Sequence, residues 1–188
     1  LVPWTYFSNA LTQASGSLVA ASAMISKVYF PRLLIPISPV VDRLIDFCVA
    51  FLILLGLMFW FKMAPTISCL ALPFLVVLMM FTAAGLGMLL SALAIQYRDV
   101  NHGIRFAVQL LMYASPVVYP ASLIPEQYRL LYGLNPMAGV IEGFRAALLG
   151  TRPMPWDLIT MGTVVAVLTV TVGAFYFRRA ERIFADVA

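Results

Sequence analysis

Charge is scarce in this sequence. Asp, Glu, Lys and Arg make up 11% of the 188 residues, and hydrophobic residues make up 63%. A soluble domain carries about 25% charged and roughly 45–50% apolar residues. An apolar excess on that scale cannot be hidden in so short a chain, because a small domain keeps a large surface. A very apolar soluble core is thereby excluded, and lipid is the solvent for most of the chain. Histidine occurs once, at His102, which excludes a multi-histidine metal site. The only cysteines, Cys48 and Cys69, form no CxxC pair and have no histidine near them, so they read as small packing residues. No G-x-x-x-x-G-K-[ST] phosphate loop is present, and no Ser or Cys nucleophile has a visible partner. No metal site and no catalytic group is expected, and nothing in the charge pattern points to nucleic acid.

What the sequence does have is uncharged runs, at 1–26, 47–61, 63–97, 106–125 and 158–177. A membrane-spanning helix needs about 20 mostly apolar residues. The pattern predicts an all-α, polytopic helical membrane protein with spans at about 5–25, 42–61, 70–94, 103–119 and 158–177, within one domain covering 1–188. Asp42, Arg43 and Asp46 are expected near one membrane surface. Leu1 is not an initiator methionine and the chain opens inside a hydrophobic run, so the expectation is a truncated chain carrying five of six spans.

Five spans divide the twelve basic residues into two sets. Lys27, Arg32, Arg43, Arg98, Arg105, Arg178, Arg179 and Arg182 share one side; Lys62, Arg129, Arg145 and Arg152 share the other. Positive charge favours the cytoplasm, which places the first set and the C-terminus there. The segment 120–157 then lies outside. Its apolar stretch, NPMAGVIEGFRAALLG, is too short and too charged to cross, and is expected to form re-entrant helices before the last span. Glu142 and Arg145, three apart, share a helix face there. Pro116, Pro120, Pro125 and Pro136 break the helices around it.

Two cytoplasmic segments have two readings each. KVYFPRLLIPISP, at 27–39, is either an interfacial loop anchored by Lys27 and Arg32 or a rigid knob, stiffened by Pro31, Pro36 and Pro39, that transmits a push from a soluble partner. QYRDVNHGIR, at 96–105, is either a turn at the lipid headgroups or a brace, with Asp99 available to cap the next helix. Small residues at Ala83, Gly87 and Ser91, and at Ser17 and Ala21, recur every fourth position and permit close helix approach. Aromatics gather near the outer ends and are mostly interfacial. A minority of them, among Trp4, Tyr6, Phe7, Tyr113 and Tyr119, are candidates to face a pore and stack on sugar rings.

Taken in order, WTYF (4–7), KVYFPRLLIPIS (27–38), QYRDVNH (96–102), SPVVYP (115–120), NPMAGVIEGFRAALLG (135–150) and ERIFAD (181–186) resemble the membrane permease of ABC exporters for O-antigen, teichoic acid and other polysaccharides, in the type-two ABC permease superfamily. Nearly the whole chain is covered. The resemblance implies a bacterial cytoplasmic-membrane subunit that pairs with a second copy of itself and with a separate ABC ATPase, which would hold ATP and Mg. It implies a lipid-linked polysaccharide as cargo and no cofactor on this chain. It further implies that 27–39 is the coupling element, with Lys27, Phe30, Pro31 and Arg32 as contacts. Arg98, Asp99 and His102 would form the cytoplasmic brace, and Pro116, Pro120, Asn135, Pro136, Glu142 and Arg145 the external gate. Two alternatives remain: a multidrug permease of the same superfamily, and a membrane enzyme acting on a polyprenyl-linked sugar. The latter needs an intramembrane acid or histidine cluster, which spans three to five lack.

Overall fold

The computed structural model describes residues 1–22, 31–63, 67–97, 99–119, 121, 124–150 and 152–185. Seven α-helices and one 3-10 turn account for the regular structure among them: α1 (Val2–Ala20), α2 (Leu34–Trp60), the turn Ile67–Ala71, α3 (Leu72–Gln96), α4 (Val100–Ala114), α5 (Glu126–Gly133), α6 (Pro136–Leu149) and α7 (Trp156–Ala185). No strand occurs among the described residues.

The helix boundaries follow local chemistry. Prolines stand in the opening turns of α1, α3 and α6, where a missing N–H costs nothing because the first four are unpaired anyway. Asn135 caps α6 by accepting from the Met137 amide at 3.1 Å, and Gly150 ends it at φ 62°. The second span was expected to start at about residue 42. Its helix instead starts at Leu34, and Pro36 and Pro39 lie inside it. Pro36 falls among the unpaired N–H positions and Pro39 forfeits one backbone bond, a loss the long helix absorbs. The charged group Asp42, Arg43 and Asp46 therefore sits well inside α2 rather than at its mouth.

α3 is the central post. It packs most extensively against α7 and α1, and α1 packs in turn against α2. On the α1 side, Gly87 admits Ala14: a Cβ built on Gly87 would lie 2.7 Å from that of Ala14. Ala83 and Ser91 are buried along the same helix, so the four-residue spacing serves packing within the chain. On the α7 side the approach is closer still. A Cβ on Gly85 would meet the Val170 amide nitrogen at 2.7 Å, and one on Gly173 would collide with the Gly85 carbonyl. These two helices touch through their backbones.

The surface is greasy. α3 exposes Phe74, Val77 and Phe81; α7 exposes Val164, Leu168 and Val172; α2 exposes Ile45, Val49, Leu52 and Ile53. The stretches Ser68–Gln96 and Trp156–Glu181 are each long and apolar enough to cross a bilayer. An all-α membrane fold follows from helices that bury small residues against each other and turn large apolar ones outward.

Candidate functional site

At one end of the bundle, polar groups converge on the segment linking α4 to α6. Glu142, 7% exposed, projects from α6. Its Oε1 accepts from Arg145 Nη1 at 2.6 Å and from the Ala121 backbone N–H at 2.7 Å. Arg145 Nη2 donates to the Pro116 carbonyl at 2.9 Å. One ion pair thus holds two points of the α4–α5 link. Asn135 Nδ2 adds a third tie, donating to Ser115 Oγ at 2.8 Å, and that hydroxyl donates to the Leu111 carbonyl. The Tyr132 hydroxyl is buried beside this group and has no hydrogen-bond partner among the described residues. Burial first, then the adjacent Tyr119 hydroxyl and the Glu142 charge, push its pKa above the ordinary phenol range, so it stays protonated.

Pro116, Asn135, Glu142 and Arg145 are therefore brought together in the structure; Pro136 opens α6 beside Asn135 and packs against Gly162 of α7, and Pro120 lies outside the described residues. Beside them is a pocket of about 270 Å³ lined by Glu142, Arg129, Arg152 and Asp157. Arg129 and Asp157 pair across α5 and α7 at 2.6 Å, both half exposed, a geometry worth little in water.

Lys27, Phe30 and Arg98 lie outside the described residues. Pro31 is exposed, and Arg32 reaches toward α7, its Nε 3.9 Å from Glu181 Oε1. Arg32 Nη1 is buried without a hydrogen-bond partner among the described residues. Asp99 stands at the N-cap of α4, but its side chain makes no cap bond; its carbonyl alone accepts from His102 and Gly103. The expected side-chain cap is absent because Asp99 has helical φ and ψ, which turns the carboxylate away from the first-turn amides. His102 is exposed, and neither side chain makes a hydrogen bond or ion pair among the described residues.

The aromatic candidates divide. Trp4, Tyr6 and Phe7, expected near an interface or facing a path, are instead buried at 4%, 4% and 1% exposure. Tyr6 donates to the Val40 carbonyl at 2.8 Å and meets Phe47 edge-on, and Phe47 in turn meets Phe144. They bolt α1 to α2 because the polar residues of α1 occupy its other face. Tyr113 is exposed, and Tyr119 is half-buried with its hydroxyl on the Tyr113 carbonyl.

Sequence reasoning missed Ser115, Ala121 and Tyr132 as members of the polar cluster. Ser115 and Ala121 join through contacts twenty residues or more along the chain, for which no local signal exists. A tyrosine spaced to share a helix end with Asn135 is the only trace of Tyr132.

Compared with known proteins, residues 5–149 match the family model described as ABC-2 type transporter. The chain is 24% identical over 188 residues to an O-antigen export system permease protein RfbA of Klebsiella pneumoniae, covering 100% of this chain and 72% of that protein. It is 27% identical over 184 residues to a protein of the same name from Myxococcus xanthus, covering 96% of this chain and 71% of that one.

Proposed function

The chain belongs to the ABC-2 type transporter family, and on that premise we propose that it is the transmembrane subunit of an ABC exporter moving a lipid-linked polysaccharide of the O-antigen type outward across the bacterial cytoplasmic membrane. The observation that carries this reading is alignment along the full chain with permeases named for O-antigen export. In this reading α1, α2, α3, α4 and α7 cross the membrane, and the C-terminus is cytoplasmic. Two copies enclose the path, and a separate ABC ATPase hydrolyses ATP.

Physical coupling runs as follows. ATP-driven closure of the ATPase presses on 27–39. The second half of that segment is the first turns of α2, so the push enters a 27-residue helix, about 40 Å long at 1.5 Å per residue. Arg32 leans on Glu181 and shares the load with α7. Asp99, whose carbonyl accepts from the His102 and Gly103 amides, ties the loop to the start of α4. At the far end the displacement reaches α6, whose Glu142–Arg145 pair carries the α4–α5 link that serves as the external gate.

The test is deletion of the full-length gene and complementation. Loss of surface polysaccharide, with lipid-linked polymer accumulating on the cytoplasmic face, is expected. Normal surface polymer with altered drug resistance would replace this reading with export of small molecules. Co-purification of the full-length protein with its ATPase checks the partner.

A further inference from the structure

One helix is built the wrong way round for lipid. Between residues 5 and 16, the face of α1 turned away from the core carries Thr5, Ser8, Asn9, Thr12, Gln13 and Gly16, an arc with no large apolar residue. The apolar residues of α1, among them Trp4, Phe7, Leu11 and Leu18, point inward. α3 and α7 do the reverse, turning valine, leucine and phenylalanine outward. The three hydroxyls satisfy themselves on backbone carbonyls one turn back. Asn9 does not: it is exposed and makes no side-chain hydrogen bond among the described residues.

Beside this stripe, α2 brings charge. Arg43 Nε donates to Gln13 Oε1 at 2.8 Å, and Arg43 Nη1 pairs with Asp46 Oδ2. The Arg43 side chain is 30% exposed and that of Asp46 65%. Depth follows from packing. Phe177, just before Arg178 and Arg179, clusters with Leu18, Ile35 and Met88, so Ile35 lies level with the charged end of α7. Arg43 lies farther along α2, about 12 Å deeper at 1.5 Å per residue. Ionisable side chains at such depth face protein or a water-filled cavity, since unsatisfied polar groups cost several kcal/mol in hydrocarbon. Among the described residues nothing covers Asn9 or Asp46.

We propose that Asn9 and Gln13 of α1, with Arg43 and Asp46 of α2, form a water-wetted wall at membrane depth that offers amide, guanidinium and carboxylate contacts to a hydroxyl-rich saccharide. The proposal rests on the transport reading above and assigns it a specific surface. α4 packs beside α1 and buries Ile104 and Val108, while Arg105 and Gln109 stand exposed with Phe106 and Leu110.

The test is thiol accessibility in the full-length protein, in membranes with its ATPase, after Cys48→Ala and Cys69→Ala. Single substitutions Asn9→Cys, Gln13→Cys and Asp46→Cys are compared with Val164→Cys and Leu52→Cys, using a charged methanethiosulfonate reagent. Only the thiolate reacts, and apolar surroundings raise the thiol pKa, so each unit of that shift slows labelling about tenfold. Wall positions are expected to label at least about tenfold faster than the two controls on that scale. Silence at all five positions overturns the wetted wall and leaves the membrane reading standing. Silence with a disulfide between copies at Gln13→Cys overturns it in favour of a subunit contact. Equal labelling at all five positions overturns the membrane reading itself. Asn9→Cys breaks no hydrogen bond of the described fold, so its result does not hang on refolding.

Discussion

Replacing Arg145 with alanine leaves the Glu142 carboxylate buried, still holding the Ala121 amide but without a counter-charge. Removing one partner of a buried ion pair costs about 3–5 kcal/mol. The Arg145 side chain is 26% exposed, against 9% for Glu142, so water screens part of the pair and the lower end, about 3 kcal/mol, is expected. At about 2–4 °C per kcal/mol for a chain of 150–250 residues, that is a fall in Tm of roughly 6–12 °C. Glu142→Ala leaves Arg145 its Pro116 carbonyl and some solvent, so about 1–3 kcal/mol is expected. The double substitution Glu142→Leu with Arg145→Leu removes both charges and should cost less than the sum, with a coupling of about 0.5–3 kcal/mol. Thermal unfolding of the purified full-length protein reads all three, and limited proteolysis of the α4–α5 link reads its release. A change within about 0.5 kcal/mol for Arg145→Ala, the range of an ordinary surface substitution, would refute the idea that this pair holds the α4–α5 link. Strict additivity in the double variant would refute it as well.

Gly173→Val drives a branched side chain into the Gly85 carbonyl; α3 and α7 should separate and the protein should be lost from the membrane fraction, while Gly56→Val, open to its surroundings, should accumulate normally. Arg32→Glu sets a carboxylate against Glu181; export should fail while membrane insertion persists, with recovery on adding Glu181→Arg. Unchanged export in Arg32→Glu would remove Arg32 from the coupling path. Tyr6→Phe deletes the bond to the Val40 carbonyl, for an expected loss of about 0.5–1.5 kcal/mol in the same unfolding assay.

Composition made the helical membrane fold legible, because 63% hydrophobic residues leave no aqueous alternative in 188. The Glu142–Arg145 pair was legible too, since neighbours three apart meet on any helix. The small-residue ladder on α3 showed which residues pack closely but not against what. Gly85 and Gly173 fell outside that ladder, and only the fold sets them face to face. Pro36 and Pro39 misled, because a proline reads as a break unless the helix start is known: Pro36 falls in the opening turn, and Pro39 costs a long helix only one bond. Trp4, Tyr6 and Phe7 misled for a related reason. Aromatic content near a helix end suggests an interface, but it is the helix's polar residues that decide which way the aromatics turn. The ties from Glu142 to Ala121 and from Asn135 to Ser115 join distant positions and leave no mark in a single sequence.

Where α3 crosses α7 at Gly85 and Gly173, peptide planes rest on one another with no side chain between them to act as a bearing. Such a joint has no rotamer slack with which to slide or tilt. The two helices are expected to travel as one beam, so that, on the transport reading proposed above, a stroke delivered to 27–39 is taken up by α2 swinging against that beam. Distances measured between α2 and α7 will register each cycle of transport; those between α3 and α7 will stay constant throughout.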